Sequence, residues 1–455
     1  MKGYACCDIK YTDTLRLIVE SMLTAKALKI NKAAFTNVLA VLLIFLCRYN
    51  FQFAFLPFTM LQLVQYLGII YIMSLILMHM FSFPKWLNIF FLYVFALGTF
   101  GILSALRDIS GTLPLIRSIL NVPFFAGITL LIINLLYKNQ RLEIGRLLDA
   151  WIYASIIQLI ITILFFLNNE IFNFVYSFIK LESSIDDRID LLSLRMIGLG
   201  NQFFGAGFNY SIDIFVMTLI PYVSGSKIYK NKLLYWTVVV SIIVVGILSA
   251  RTFFVGLACA LLFLCIQNRH KVITFAGKSI KAILIIVLSC LIFYNVFKSY
   301  LGDMENTLNW AFEIFINLFS GEGLSSDSTD VMYSMYRFPE NTSTWLFGDG
   351  RFYTADGHYY MRTDIGFIRL IFFWGLPCTI LYYLYQLYFA KIIYRKSKVV
   401  CLKPFLLCFT LFVYLCNMKG YISGDYFLLI LLVFTIKEYK AQRSKPLNRQ
   451  IRMIT

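Results

Sequence analysis

The sequence predicts an all-α fold in which many apolar helices cross a membrane. Of its 455 residues, 60% are hydrophobic and only 14% are charged, whereas soluble globular chains average about 45–50% apolar and about 25% charged residues. The apolar residues form long continuous runs, and 79 residues are aromatic. A water-soluble core could not hide this much apolar surface. The composition therefore excludes a soluble enzyme, a disordered chain and a disulfide-stapled secreted domain.

Uncharged apolar runs mark about twelve candidate membrane spans. They cover residues 33–47, 58–80, 86–106, 118–137, 147–167, 203–223, 233–250, 252–267, 282–298, 365–389, 401–417 and 421–436. Several of these runs are shorter than the ~20 residues that a helix needs to cross a bilayer unaided.

The distribution of charge between the spans predicts the orientation of the chain. With both termini inside, the inner segments carry 28 of the 41 Lys and Arg residues but only 6 of the 24 acidic ones. Since short inner loops of membrane proteins are enriched in Lys and Arg, this bias favours termini on the cytoplasmic side. It also explains the net charge of +17 without nucleic-acid binding.

The spans divide the chain into five parts. Residues 1–32 form an N-terminal segment with a short interfacial helix, and 33–298 hold the first nine spans. Residues 299–364 form a large outer segment with amphipathic helices at about 304–319 and 331–336. Three more spans fill 365–436, and 437–455 form a basic tail suited to an anionic inner leaflet.

Arginine residues near the outer ends of the spans are the first candidates for a binding site. They are Arg195, Arg251, Arg362 and Arg369. Holding a charge at a helix centre costs about 2.5–3.5 kcal/mol on insertion scales, and Arg251 interrupts an apolar run with no acid near it in sequence. Grouped guanidinium ions suit phosphate or diphosphate because they stay charged and make bidentate contacts. The alternative is that these side chains merely reach the lipid head groups.

His358 is the candidate for acid–base chemistry. It is the only one of three His residues in the predicted outer segments, and it lies between Asp356 and Asp364. A His that titrates near neutral pH can accept a proton from a substrate hydroxyl, and an adjacent Asp can orient it. The sequence contains no Cys-x-x-Cys motif or other metal-ligand spacing, so we expect neither a metal nor a cofactor.

Three stretches resemble bacterial O-antigen polymerases and, more distantly, O-antigen ligases. They are RMIGLGNQFFGAGFNYSIDIFVMTLIP, ILSARTFFVGLACALLF and LFGDGRFYTADGHYYMRTDIGFIRLIFFWGLPCTILYYL. About a dozen spans with one large outer loop late in the chain also resemble that family. The resemblance implies a bacterial inner-membrane protein whose active site faces the periplasm.

The resemblance also implies the reaction and the partners. A growing glycan on undecaprenyl diphosphate is transferred to the next lipid-linked repeat unit, and a chain-length regulator protein is a possible partner. Arg195 and Arg251 would stabilise the departing diphosphate. Arg362 would bind the diphosphate of the second lipid or the same diphosphate, and Arg369 would also bind substrate diphosphate. His358 would activate the acceptor hydroxyl, with Asp364 as its orienting group.

Several alternatives remain open at this point. Asp356 or Asp364 could replace His358 as the base, because polymerases do not uniformly carry this His. A ligase would use similar parts to transfer finished polymer to lipid A–core. A lipid-linked oligosaccharide flippase or transporter would show repeat symmetry, broken helices and charges near the membrane centre.

Overall fold

The protein is mostly helical. The computed structural model describes residues 32–78, 98–99, 125, 127–136, 144–180, 195–200, 203–268, 304–321, 326–354, 358–396 and 401–420. These ranges contain no β-strand. The predicted N-terminal helix, spans 282–298 and 421–436, the first part of span 118–137 and the basic tail lie outside the described residues, as does span 86–106 apart from residues 98–99.

The described helices follow the predicted spans closely. They are α1 (Lys32–Arg48), α2 (Met60–Leu77), α3 (Gly127–Leu136), α4 (Ile144–Leu167), α5 (Asn169–Tyr176), α6 (Phe204–Leu219), α7 (Lys232–Ser249), α8 (Thr252–Gln267), α9 (Met304–Ser320), α10 (Asp327–Ser334), α11 (Thr342–Phe347), α12 (Gly366–Lys396) and α13 (Leu402–Asn417). The helices expected at about 304–319 and 331–336 correspond to α9 and, a few residues earlier than expected, α10.

Among the described residues, four helices are long and apolar enough to cross a membrane. They are Met60–Leu77, Ile144–Leu167, Lys232–Ser249 and Gly366–Ile392. Shorter apolar helices lie at Ala34–Arg48, Gly127–Leu136, Thr252–Gln267 and Leu402–Asn417. The apolar helices thus indicate a membrane protein, while the total of twelve spans and the side on which each end lies stay predictions.

Helix α6 lies at the centre of the described bundle. Its residues are apolar on nearly all sides, and almost every one of them is buried, as expected of a helix surrounded by other helices. Phe215 packs against three aromatic rings of α13, which belong to Phe405, Phe409 and Phe412. On another side α8 approaches so closely that a Cβ at Gly256 would meet Ser211 of α6 at 2.2 Å.

A buried ion pair joins α1 to α6. Arg48 and Asp213 lie 2.7 Å apart, and neither side chain is exposed. Ser155 of α4 accepts a hydrogen bond from Arg48 Nη1 (2.6 Å) and donates one to Asp213 Oδ1 (2.7 Å), and Trp151 also donates to Oδ1 (3.0 Å). Asp213 therefore has a partner that its isolated position in a predicted span did not reveal. Such a pair specifies which helices meet, because either charge alone would be costly to bury.

Several helices begin or end beside Arg195 and Arg251. We call this end of the bundle the arginine end. Gly207 near the start of α6 packs against Ala250 and Thr252 at the turn between α7 and α8. Gly366 at the start of α12 packs against Asn417 and Gly420 at the end of α13. The starts of α6, α8 and α12 and the ends of α7 and α13 therefore meet at this end.

Helix α12 is broken at Gly375, although the apolar run there is continuous in sequence. Gly375 has φ 84° and ψ 167°, and Pro377 follows it within the helix. Pro377 has no N–H to donate to the carbonyl oxygen of Phe373, four residues earlier, and the break at Gly375 lies between Phe372 and the residue that would donate to its carbonyl oxygen. The N–H groups of Asp349 and Gly350 donate to these two oxygens at 2.6 and 3.0 Å. The loop after α11 therefore caps the broken helix.

We predict that Gly375→Ala destabilises the protein by more than about 3 kcal/mol, because its φ/ψ region is nearly restricted to Gly and the new Cβ would lie 2.4 Å from the carbonyl oxygen of Leu346. Gly321→Ala is the matched control. Gly321 has φ +88° but nothing within 4 Å of its Cβ position, so this change should cost only about 1 kcal/mol. Thermal unfolding of both variants in detergent measures the difference, and equal losses would contradict the proposed capping contact.

Candidate functional site at the arginine end

The segment 195–200, which carries Arg195, is fixed to the bundle by side-chain and backbone hydrogen bonds. They join Met196 N to Leu248 O (3.1 Å), Ser249 Oγ to Met196 O (2.8 Å), Gln158 Nε2 to Leu199 O (2.9 Å) and Tyr176 OH to Gly198 O (2.7 Å). Donors from α4, α5 and the end of α7 therefore hold a short irregular segment in one position. The backbone that carries Arg195 is thus held in place, although the segment is not helical.

The guanidinium group of Arg195 contacts two aromatic rings. It is 4.8 Å from the ring centroid of Phe203 and 4.1 Å from that of Trp310, within the range of an attractive cation–π contact. Phe203 adopts φ 51°, a left-handed conformation that is uncommon for a bulky residue. Strained backbone of this kind often occurs at binding sites, and here it lies directly before α6.

Trp310 of α9 brings the two predicted arginine residues together. Its ring centroid lies 4.9 Å from the guanidinium of Arg251 as well as 4.1 Å from that of Arg195. These two arginine residues are 56 positions apart in the sequence. One indole ring therefore contacts both positive charges and offsets part of their repulsion through its cation–π attraction.

Arg251 also binds α9 through polar contacts. Its Nε donates to the carbonyl oxygen of Trp310 at 2.8 Å, and its Nη2 forms an ion pair with Oε2 of Glu313. The Arg251 side chain is only 5% exposed and that of Glu313 is 21% exposed. Arg251 has no acid near it in sequence, and Glu313 supplies one from 62 residues away.

Lys419 is a third positive group at this end, and the sequence analysis missed it. It lies in the turn after α13, where it reads as one of the few basic residues in a predicted outer loop. Burial lowers the pKa of Lys419, and the positive charges of Arg195 and Arg251 lower it further, while Asp364 raises it. Gly420, the next residue, packs against the ring of Phe204 at the start of α6, which places Lys419 at the same end of the bundle as Arg195 and Arg251. We refer to these three residues as the cationic group.

Asp364 and Arg369 border this cationic group from the start of α12. Asp364 Oδ1 lies 3.7 Å from Arg369 Nη1, a loose contact for an ion pair. The Arg369 guanidinium lies 3.8 Å from the ring centroid of Tyr359, with Phe352 and Tyr353 also near it. Arg369 is buried among these rings. Its predicted role in diphosphate binding stays a prediction, and its observed contacts are those of a residue that fixes the loop to α12.

The remaining predicted residues lie at the surface or outside the described ranges. Arg362 is exposed and has φ 52° in a short turn at Tyr360–Arg362. His358 is also exposed, and its carbonyl oxygen accepts hydrogen bonds from Thr354 N and Oγ1 at 2.8 and 3.2 Å. Asp356 lies outside the described residues. The roles expected for these three residues therefore stay predictions.

No protein-family model, curated protein or solved structure matches the chain. In the part of the chain that the structure describes, no three His, Cys, Asp or Glu residues stand close enough to hold a metal ion. The chemistry of the site is therefore inferred from its own geometry.

The arrangement is suited to holding an anion with two or more charges. Three cations converge, and the acids described near them are Glu313 and Asp364. Guanidinium groups in a partly buried setting attract phosphate oxygens more strongly than they would in water. The flanking aromatic rings orient the guanidinium planes and present flat surfaces on which a sugar or a lipid chain can rest.

We predict that the affinity of the purified protein for inorganic pyrophosphate declines with rising pH as Lys419 loses its proton at its lowered pKa. Lys419→Arg should abolish the alkaline decline, because Arg stays protonated above pH 12. Arg195→Gln should move the decline to higher pH, since removing a positive neighbour raises the pKa of Lys419. Lys403→Arg, at the other end of α13, serves as the control. Calorimetric titration at several pH values measures these shifts, and an unaltered profile in Lys419→Arg would argue against Lys419 as a site residue.

Proposed function

We propose that the protein is a membrane-embedded glycosyltransferase that polymerises a surface polysaccharide from units linked to undecaprenyl diphosphate. In this proposal it is an O-antigen polymerase of the bacterial inner membrane, with both termini in the cytoplasm and the arginine end facing the periplasm. The observation that carries the proposal is that Arg195 and Arg251 both contact the ring of Trp310, and that both arginines act electrostatically on the buried Lys419. A diphosphate attached to a membrane lipid is a polyanion that would reach such a site from the bilayer.

The proposed reaction transfers a glycan from one lipid diphosphate to the next lipid-linked unit. The acceptor hydroxyl oxygen bonds to the anomeric carbon, the bond from that carbon to the donor diphosphate breaks, and the hydroxyl proton passes to a base. Charge develops on the departing diphosphate, and stabilising such charge is usually the largest contribution to catalysis. Arg195, Arg251 and Lys419 would supply this stabilisation.

The base is assigned from the sequence alone. His358 is the first candidate, with Asp364 to orient it, and Asp356 or Asp364 is the substitute. The exposure of His358 is compatible with contact to an incoming sugar. Arg362, exposed in the same loop, is proposed to bind the diphosphate of the acceptor lipid, and a chain-length regulator is a proposed protein partner.

A flippase or transporter is the second candidate, because two observations favour it. Helix α12 is broken, and a charged pair lies inside the bundle, both of which are features of transporters. Yet the break at Gly375 is capped by the backbone of Asp349 and Gly350, and the Arg48–Asp213 pair is closed to solvent. Neither feature offers a charge to a substrate, whereas the arginine end does. The transferase is therefore the better-supported proposal.

The test is the length distribution of surface polysaccharide, read as a gel ladder. We predict that Arg195→Ala and Arg251→Ala each reduce long chains by about 10²-fold or more, the usual loss when one charge-stabilising donor is removed, with a single repeat unit still on the lipid core. Arg337→Ala is the matched control, since Arg337 is an exposed arginine near α10 whose Nε contacts the Ser334 carbonyl oxygen at 3.3 Å. Membrane abundance is measured for every variant.

Deletion of the chain separates the candidate functions. Lipid A–core without polysaccharide, with the polymer still attached to its lipid carrier, would indicate a ligase. Lipid A–core without polysaccharide, with single lipid-linked repeat units on the inner leaflet, would indicate a flippase. An unchanged ladder in the deletion strain, or full ladders in both arginine variants, would contradict the proposed polymerase.

A further inference from the structure

We propose that Glu313 is an exchangeable counter-ion: it competes with the diphosphate of the substrate for Arg251, and its displacement loosens the attachment of α9. The inference rests on the proposed diphosphate site and adds a means by which occupancy of that site is linked to the position of a helix. No feature of the sequence had singled out Glu313.

The position of Glu313 makes it the direct competitor. Its Oε2 is ion-paired with Nη2 of Arg251, one of the cations proposed to bind diphosphate. An arginine binds carboxylate and phosphate with the same planar set of donors. A diphosphate carries more charge than a carboxylate and would also contact Arg195 and Lys419. It can therefore displace Glu313, whose side chain is 21% exposed and so has access to water when released.

The same arginine fixes α9 to the bundle. Trp310 and Glu313 are three residues apart, so they lie on one face of the helix, and both contact Arg251. Phe312 of α9 also contacts Phe254 of α8, with ring centroids 6.1 Å apart, while Ile316 presents a largely exposed side chain. Removing the Glu313 contact would therefore weaken the attachment of α9 without removing its apolar contact to α8.

Repulsion between like charges links the two events. A diphosphate held by Arg195, Arg251 and Lys419 would place negative charge beside the Glu313 carboxylate, so the two anions would destabilise each other. The coupling between the two events is reciprocal. The free energy by which Glu313 weakens diphosphate binding equals the free energy by which bound diphosphate weakens the contact of Glu313 with Arg251. Glu313 would thus lower the affinity of the site for diphosphate, and its release from Arg251 when diphosphate binds would loosen the attachment of α9.

The experiment combines binding and hydrogen exchange on the full chain in lipid nanodiscs. The probe is farnesyl diphosphate, a short prenyl diphosphate. We expect Glu313→Gln to bind it roughly tenfold more tightly than the wild type, within the usual range of coupling between sites. We also expect farnesyl diphosphate to speed amide exchange in residues 304–320 of the wild type, and Glu313→Gln to show fast exchange there without the probe.

The controls separate this inference from the proposed function. Glu340→Gln removes an exposed acid after α10 and should match the wild type, and Glu313→Asp keeps the charge and should retain the wild-type affinity. Equal affinity of the wild type and Glu313→Gln, or exchange in 304–320 that the probe leaves unchanged, would overturn the inference while leaving the diphosphate site intact. A folded wild type that does not bind the probe would overturn both.

Discussion

The repulsion among Arg195, Arg251 and Lys419 is the constraint on which the arginine end depends. Three positive groups in a partly buried setting destabilise one another: burial lowers the pKa of Lys419, and the charges of Arg195 and Arg251 lower it further. The indole of Trp310 contacts both guanidinium groups, and the carboxylate of Glu313 neutralises part of the charge. Helix α9 contributes both residues, so the charge balance of the bundle depends on a helix from the large segment before α12. A site that needs counter-charge is also a site prepared for an anionic ligand.

The Arg48–Asp213 pair is a second use of buried charge in the same bundle, in which the two charged groups bind each other and no ligand. Both side chains are fully buried, matched one to one and surrounded by hydrogen-bond partners on α4 and α6. Such a pair adds little net stability, because desolvation offsets the attraction, but it strongly disfavours arrangements that separate the partners. The contrast with the arginine end is informative: there two arginine residues contact one indole ring and both act on a buried lysine, an arrangement that a matched pair between helices does not need.

The sequence predicted the helices because each apolar run is long, uncharged and bounded by polar residues. It identified Arg195 and Arg251 because charge beside an apolar run is costly and therefore informative. It could not identify Glu313, which reaches Arg251 across 62 residues, and Lys419 resembled an ordinary loop lysine. The break in α12 was also missed, since hydropathy does not change there. The Gly-Leu-Pro sequence at 375–377 was the signal, because Pro removes a helical hydrogen bond and Gly accepts the φ that a sharp bend needs.

The measurement that tests this account most directly is native mass spectrometry of the purified protein with farnesyl diphosphate and farnesol, which share a lipid chain and differ in the diphosphate. The account predicts that the diphosphate stays bound and the alcohol does not, and that the double variant Arg195→Gln, Arg251→Gln loses this preference while remaining folded. Equal retention of the two lipids by the wild type, or an unaltered preference in the double variant, would show that the cationic group at the arginine end does not bind diphosphate.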